Sequence, residues 1–161
     1  MPLVPNGRTE NLKFADGSVS PVAISVTNAP GVWGNGTGDP MFDHYIFATN
    51  GSNILVTIDR LETGSYHFYL FGFGAADVIG DQNPVFVLQS GAASFGPASP
   101  SGGAGWQAGM PWREGVHFVL FRDISVRKGE PVTFRVGPGA GGVAVLNGLQ
   151  ILSRGTSPPR L

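Results

Sequence analysis

This chain cannot sustain long helices, and that limits its fold more than any other property. Its 161 residues include 25 glycines and 13 prolines, which break or weaken a helix wherever they fall in its interior. No window shows apolar residues at helical spacing, and several windows alternate instead. Ile54, Val56 and Ile58 alternate with Leu55, Thr57 and Asp59. Val132, Phe134 and Val136 alternate with Thr133 and Arg135, and Val22, Ile24 and Val26 with Ala23, Ser25 and Thr27. A period of two turns one face inward and the other to water, as in a half-buried strand. The spacing predicts strands at 11–15, 20–27, 44–49, 53–59, 65–73, 84–89, 116–126, 131–136 and 142–152. Turn dipeptides such as Asp16-Gly17, Asn50-Gly51, Lys128-Gly129 and Pro138-Gly139 separate them. The fold class read from this pattern is all-β, an antiparallel β-sandwich or jelly roll.

Two strands depart from clean alternation. Tyr66-His67-Phe68-Tyr69-Leu70-Phe71-Gly72-Phe73 is apolar on both faces, and His117–Phe121 behaves similarly. If Tyr66, Phe68 and Leu70 face the core, then His67, Tyr69, Phe71 and Phe73 form a stripe on the other side. A sheet apolar on both faces is covered on both sides. The candidates for that second cover are the chain itself, a neighbouring molecule or a ligand. The chain offers a long Gly-rich loop, 90–112, with no charge before Arg113 and with Phe95, Trp106, Met110 and Trp112 in it. Loops of that length tend to be functional or disordered, and a disordered one would be poor in aromatics.

Charged residues make up only 13% of the chain, about half the usual ~25%. With a formal net charge of -1 there is no basic patch for nucleic acid or an anionic membrane. A surface so poor in charge guards weakly against association, so the expected partners are a neutral ligand such as a polysaccharide, or copies of the chain itself. No cysteine is present, which excludes disulfides and thiol chemistry. No apolar run approaches the ~20 residues of a membrane helix, and Met1–Asn6 lacks the basic start and apolar run of a signal peptide. Asn35-Gly36-Thr37 and Asn50-Gly51-Ser52 match the N-glycosylation pattern.

Four segments together resemble a known family. Ile54–Gly74 looks like a "strand, Leu-x-x-Gly-x-Tyr, strand, Tyr/Phe-Gly-x-Gly" core. Trp112–Phe121 resembles a "Trp-x-x-Gly-x-x-Tyr/Phe-x-x-Phe" strand, Ala144–Leu152 a closing "Asn-Gly-[Leu/Ile]-Gln-[Ile/Val]" strand, and Asp43–Phe47 an "Asp-x-Tyr-[Leu/Ile]" strand. Their order is similar to that in galactose-binding-like, carbohydrate-binding-module-like β-sandwich domains of bacterial surface and secreted proteins. The resemblance implies a jelly-roll sandwich over about residues 11–152, with an N-terminal extension at 1–10 and a tail at 153–161. It also implies an extracellular or cell-surface location and a role without catalysis. Asn147-Gly148 within a strand reads as a bulge or a close backbone approach.

The acids are scattered, and no Gly-x-Ser-x-Gly elbow accompanies them, so neither a carboxylate pair nor an activated nucleophile is evident. His44, His67 and His117 fall on three expected strands and read as strand histidines. Asp39 and Asp43 flank a Gly-rich loop and are candidate ligands for a structural calcium, with turn capping as the alternative. Gly137–Gly142 has the G-x-G-x-x-G spacing but leads into a strand, so no helix start is available to hold phosphate.

Two functions follow from these residues. One is carbohydrate binding through loop aromatics. Trp106 and Trp33 would supply stacking area, and Gln107 and Arg113 would serve the hydroxyls. The other is self-assembly into a filament, tube or surface layer through a cover stripe of His67, Tyr69, Phe71, Phe95 and Met110.

Overall fold

The alternating segments set one face of a large sheet. Ile54, Val56 and Ile58 are fully buried, as are Val132, Phe134 and Val136 on the strand beside them. The computed structural model describes residues 5–74, 82–101, 109 and 111–155. Among these the strands are β1 (Arg8–Thr9), β2 (Ala23–Thr27), β3 (Gly31–Gly34), β4 (His44–Ala48), β5 (Ile54–Asp59), β6 (Gly64–Phe71), β7 (Val85–Ser90), β8 (Ala93–Ala98), β9 (Phe118–Val126), β10 (Val132–Gly137), β11 (Ala144–Leu146) and β12 (Gly148–Ser153). All named strand pairs are antiparallel, as the alternation predicts.

A six-stranded sheet has the order β1-β2-β5-β10-β7-β8. Two three-stranded sheets have the orders β11-β4-β3 and β12-β6-β9. The small sheets meet where β11 runs into β12 at Asn147. Their inner faces, including Ile46, Leu146, Tyr66, Phe68, Leu70, Phe121 and Ile124, share one apolar core with the large sheet. Phe68 meets Phe134 across it edge to face, with ring centroids 5.5 Å apart. Each such side chain contributes about 1.5–3 kcal/mol by leaving water. The protein is an antiparallel β-sandwich.

The structure corrects the expected boundaries in five places, one of them the strand expected at 142–152, which is β11 and β12 in two different sheets. The strand expected at 11–15 is reduced to a single Lys13–Val19 bridge. Arg8 and Thr9, assigned to an extension, pair with β2 and belong to the large sheet. Gly31–Gly34 is a strand that alternation did not reveal. The loop expected from residue 90 begins instead with a tight turn at Gly91-Ala92 and continues as β8, an edge strand on β7. Ser, Ala, Gly and Pro have little strand preference, but an edge position tolerates Pro97 because its missing N–H is not needed there. Phe95 sits opposite Leu88 on β8 and packs against the main core. It is therefore not part of a cover over the aromatic stripe.

Candidate functional site

Two short segments cover the doubly apolar face of β6, and both are held by their own polar groups. In the first, Gly36 and Gly38 take positive φ values of 63° and 72°, which glycine adopts freely. The Asp39 carboxylate accepts the Met41 N–H at 2.8 Å, and its carbonyl accepts the N–H groups of Phe42 at 3.0 Å and Asp43 at 2.8 Å. The Asp43 carboxylate accepts the Gly38 N–H at 3.1 Å. Both acids thus cap their own turn. No group of three or more His, Asp or Glu side chains among the described residues is arranged to hold a metal ion. The tightened loop projects Phe42 into the outer aromatic cluster of Phe71 and Phe73, with Met41, Tyr69 and Phe118 packed beside them.

The second segment is 111–117. The Arg113 N–H donates to His117 Nδ1 at 2.8 Å, while the Arg113 carbonyl accepts the His117 N–H at 2.8 Å. Burial, and secondarily the Arg113 charge, hold the His117 imidazole below its usual pKa. The ring with an unprotonated Nδ1, able to accept the Arg113 N–H, is the form this turn requires. Folded this way, the segment lays Trp112 edge-on over Phe71, with centroids 5.0 Å apart, and over Phe42 at 5.9 Å. Phe71 is 1% exposed as a result, whereas Trp112 keeps 39% of its surface in solvent.

The two segments meet at the β11–β12 break. The Asn147 side chain accepts the Phe73 N–H at 2.6 Å and donates to the His44 carbonyl at 3.1 Å, and its backbone N–H bonds Phe71 at 3.0 Å. One amide thereby joins β4, the end of β6 and the break between β11 and β12. A Cβ on Gly148 would lie 2.6 Å from Met41 Sδ, so the strand passes directly against the loop. Asn35 completes the arrangement by donating from its side chain to the Phe42 carbonyl at 2.8 Å and the Phe73 carbonyl at 3.0 Å. Between these parts lies a cleft of about 770 Å³ bounded by Asp39, Met41, His44, Tyr45, Trp112 and Asn147. Its walls are largely apolar with a few polar groups at the edges, the usual make-up of a small-molecule site.

The residues singled out in the sequence divide around this cleft. Asp39 lines it. Phe71 lies beneath Trp112, and Tyr69 packs against Phe118 at a tilt, with centroids 5.6 Å apart. Exposed Arg113 follows Trp112 in the turn. Trp33 stands on β3, 63% exposed and paired with Tyr45. His67 lies further along β6, where its Nδ1 accepts the Asp123 N–H at 3.0 Å, and the three histidines form no cluster. Trp106, Gln107 and Met110 lie outside the described residues. Of the two glycosylation patterns, Asn50 is exposed in a turn with φ values of 57° and 73° at Asn50 and Gly51. The Asn35 amide is taken up by the two carbonyls. The family-like pattern at Trp112–Phe121 made Trp112 a core or strand-entry residue and did not reveal its place in the cleft. The signal was present in Met41, Phe42 and Trp112, apolar residues in Gly/Pro-rich loops that need something to cover.

No protein-family model and no curated protein matches the sequence. Among solved structures, the chain is similar to TmCBM61 in complex with β-1,4-galactotriose. The TM-score is 0.45 at 10% identity, over 81% of this chain and 82% of that one.

Proposed function

We propose that the protein is a non-catalytic carbohydrate-binding module that acts outside the cell and takes a neutral glycan in the cleft beside Trp112. The observation that carries this reading is a half-exposed indole held edge-on by two buried phenylalanines at the wall of a largely apolar cleft. Sugar rings stack on such a face, and a side chain already fixed by packing loses little entropy on binding. Asp39 and His44 lie at the rim within the same cleft and supply groups for hydroxyls. Trp106, Gln107 and Arg113, close in sequence to Trp112, are proposed to extend the contact.

The test is calorimetric titration against a panel of soluble neutral polysaccharides, β-1,4-galactan, xylan and glucans among them. Binding to at least one is expected. Trp112→Ala should weaken it by about 2 kcal/mol, the scale of a central aromatic anchor, and Trp112→Phe should retain most of it. A thermal melt of each variant separates loss of the site from loss of the fold. Failure to bind any member of the panel, or equal affinity in folded Trp112→Ala, would overturn the proposal.

A further inference from the structure

The outer edges of the sheets are unequally protected. β1 is two residues long and carries Arg8, whose guanidinium bonds Glu10 and Asp59. β8 contains Gly96 and Pro97. β9 carries Arg122 and Asp123 where its register against β6 shifts between Tyr66 and Phe68. Charge, proline, shortness and bulges are the ordinary means by which edge strands avoid pairing with other chains. β3 is short, at four residues, but carries no charge, proline or bulge within Gly31–Gly34. No charged side chain and no histidine occurs anywhere from Gly17 to Gly38.

The direction of the β3 backbone groups follows from its ladder. The Asn35 N–H donates to the Asp43 carbonyl at 2.8 Å, and that pair continues the register Gly31↔Phe47, Trp33↔Tyr45. In an antiparallel ladder, hydrogen-bonded and non-bonded pairs alternate. Gly31, Trp33 and Asn35 therefore turn their N–H and C=O groups toward β4, and Val32 and Gly34 turn theirs away. Among the described residues, those outward groups have no hydrogen-bond partner. The side chains beside them are open as well, with Val32 48% and Trp33 63% exposed.

We propose that this edge pairs with the β3 edge of a second copy of the chain about a two-fold axis through Trp33. The outward groups are self-complementary in that register. Val32 exchanges both hydrogen bonds with Gly34 of the partner subunit, and Gly34 does the same with Val32 of the partner subunit. Trp33 then faces Trp33 of the partner subunit as the close, non-bonded pair. Isologous contacts of this kind require one patch to match itself, and a patch without charge meets its copy without repulsion. The Phe47 ring lies across Gly31, where a Cβ would fall 2.2 Å from it. The contact assigns Trp33 to an interface and leaves Trp112 for the cleft.

Sedimentation velocity across a wide concentration range tests the pairing, together with amide exchange by NMR. A monomer–dimer equilibrium is expected, with the Val32 and Gly34 amides exchanging fast in dilute protein and slowly when concentrated. Trp33 serves as the control, its amide protected by β4 throughout. Trp33→Lys places two like charges face to face and should weaken dimerisation about tenfold or more. Val32→Pro removes an outward N–H and should do likewise, because an edge position accepts proline. The proposal falls if the protein sediments as a monomer at every concentration, or if both variants dimerise as the wild type does. Val32 and Gly34 amides already protected in dilute monomer would also overturn it, by showing that the chain covers its own edge.

Discussion

The two outer faces of this sandwich differ sharply. On the six-stranded sheet, Ser25, Thr57, Thr133, Gln89 and Ser94 stand side by side across five strands with nothing apolar among them. On the opposite sheet, Gly148, Phe71 and Phe118 lie in one row and Gln150, Tyr69 and Leu120 in the next. The first face is left to water. The second is closed over Phe71 by Phe42 and Trp112, and the cleft forms where that cover meets the β11–β12 break. A sheet that alternates cleanly needs one partner, and a sheet apolar on both faces needs two. The second partner is made of loops, and loops are where binding groups concentrate.

The sharpest way to break this comparison is Phe71→Ala. If the outer cluster is packed like a true core, the substitution costs about 3–5 kcal/mol, measured by urea unfolding. A loss below 1 kcal/mol, on the scale of a surface change, would show that the cover is loose. Asn147→Ala comes next. It orphans the Phe73 N–H and the His44 carbonyl, for a cost of about 1–3 kcal/mol, and it should alter chemical shifts in the 39–43 loop. Unchanged stability would remove Asn147 as the tie between the two small sheets.

A third effect is pH dependence. The folded pKa of His117 lies below its ordinary value of 6.5, so the unfolded chain takes up a proton first. The stability that depends on the neutral ring is fully present above pH 6.5 and is lost as pH falls from there through the lowered folded value. Unfolding curves should show this acid-side loss in the wild type and a flatter profile in His117→Gln over the same window. Equal slopes would mean that the Arg113–His117 bond does not hold the cover. The smallest effect is expected on the bare face, where Thr133→Ala should stay within about 0.5 kcal/mol of wild type. A large loss there would point to an unseen partner on the hydroxyl row.

Much of the fold was legible because it depends on local periodicity. β5 and β10 follow from strict alternation, and the double apolarity of Tyr66–Phe73 announced that a second cover was required. β3 and β8 were not legible. Gly-Val-Trp-Gly has only two strand-favouring residues between glycines, and Ala-Ser-Phe-Gly-Pro-Ala carries little strand preference; both are strands because a neighbour, β4 or β7, offers them a ladder. The candidate site was legible only in kind. Aromatics in Gly-rich loops stand out in the sequence, but Trp112 is recognisable as a cleft wall only once Phe42, from a loop seventy residues earlier in the chain, is seen beneath it.

The sequence by itself determined that this chain is an antiparallel sandwich, since period-two patterning and the density of glycine and proline leave no other way to bury its apolar residues. It also determined that one sheet face needed extra cover. Only the tertiary structure decided what supplies that cover and which side chains remain open to a ligand or a second copy. Those outcomes depend on contacts between residues far apart in the chain, such as Asn147 with His44 and Phe73, and long-range contacts leave no periodic trace in the segments that make them.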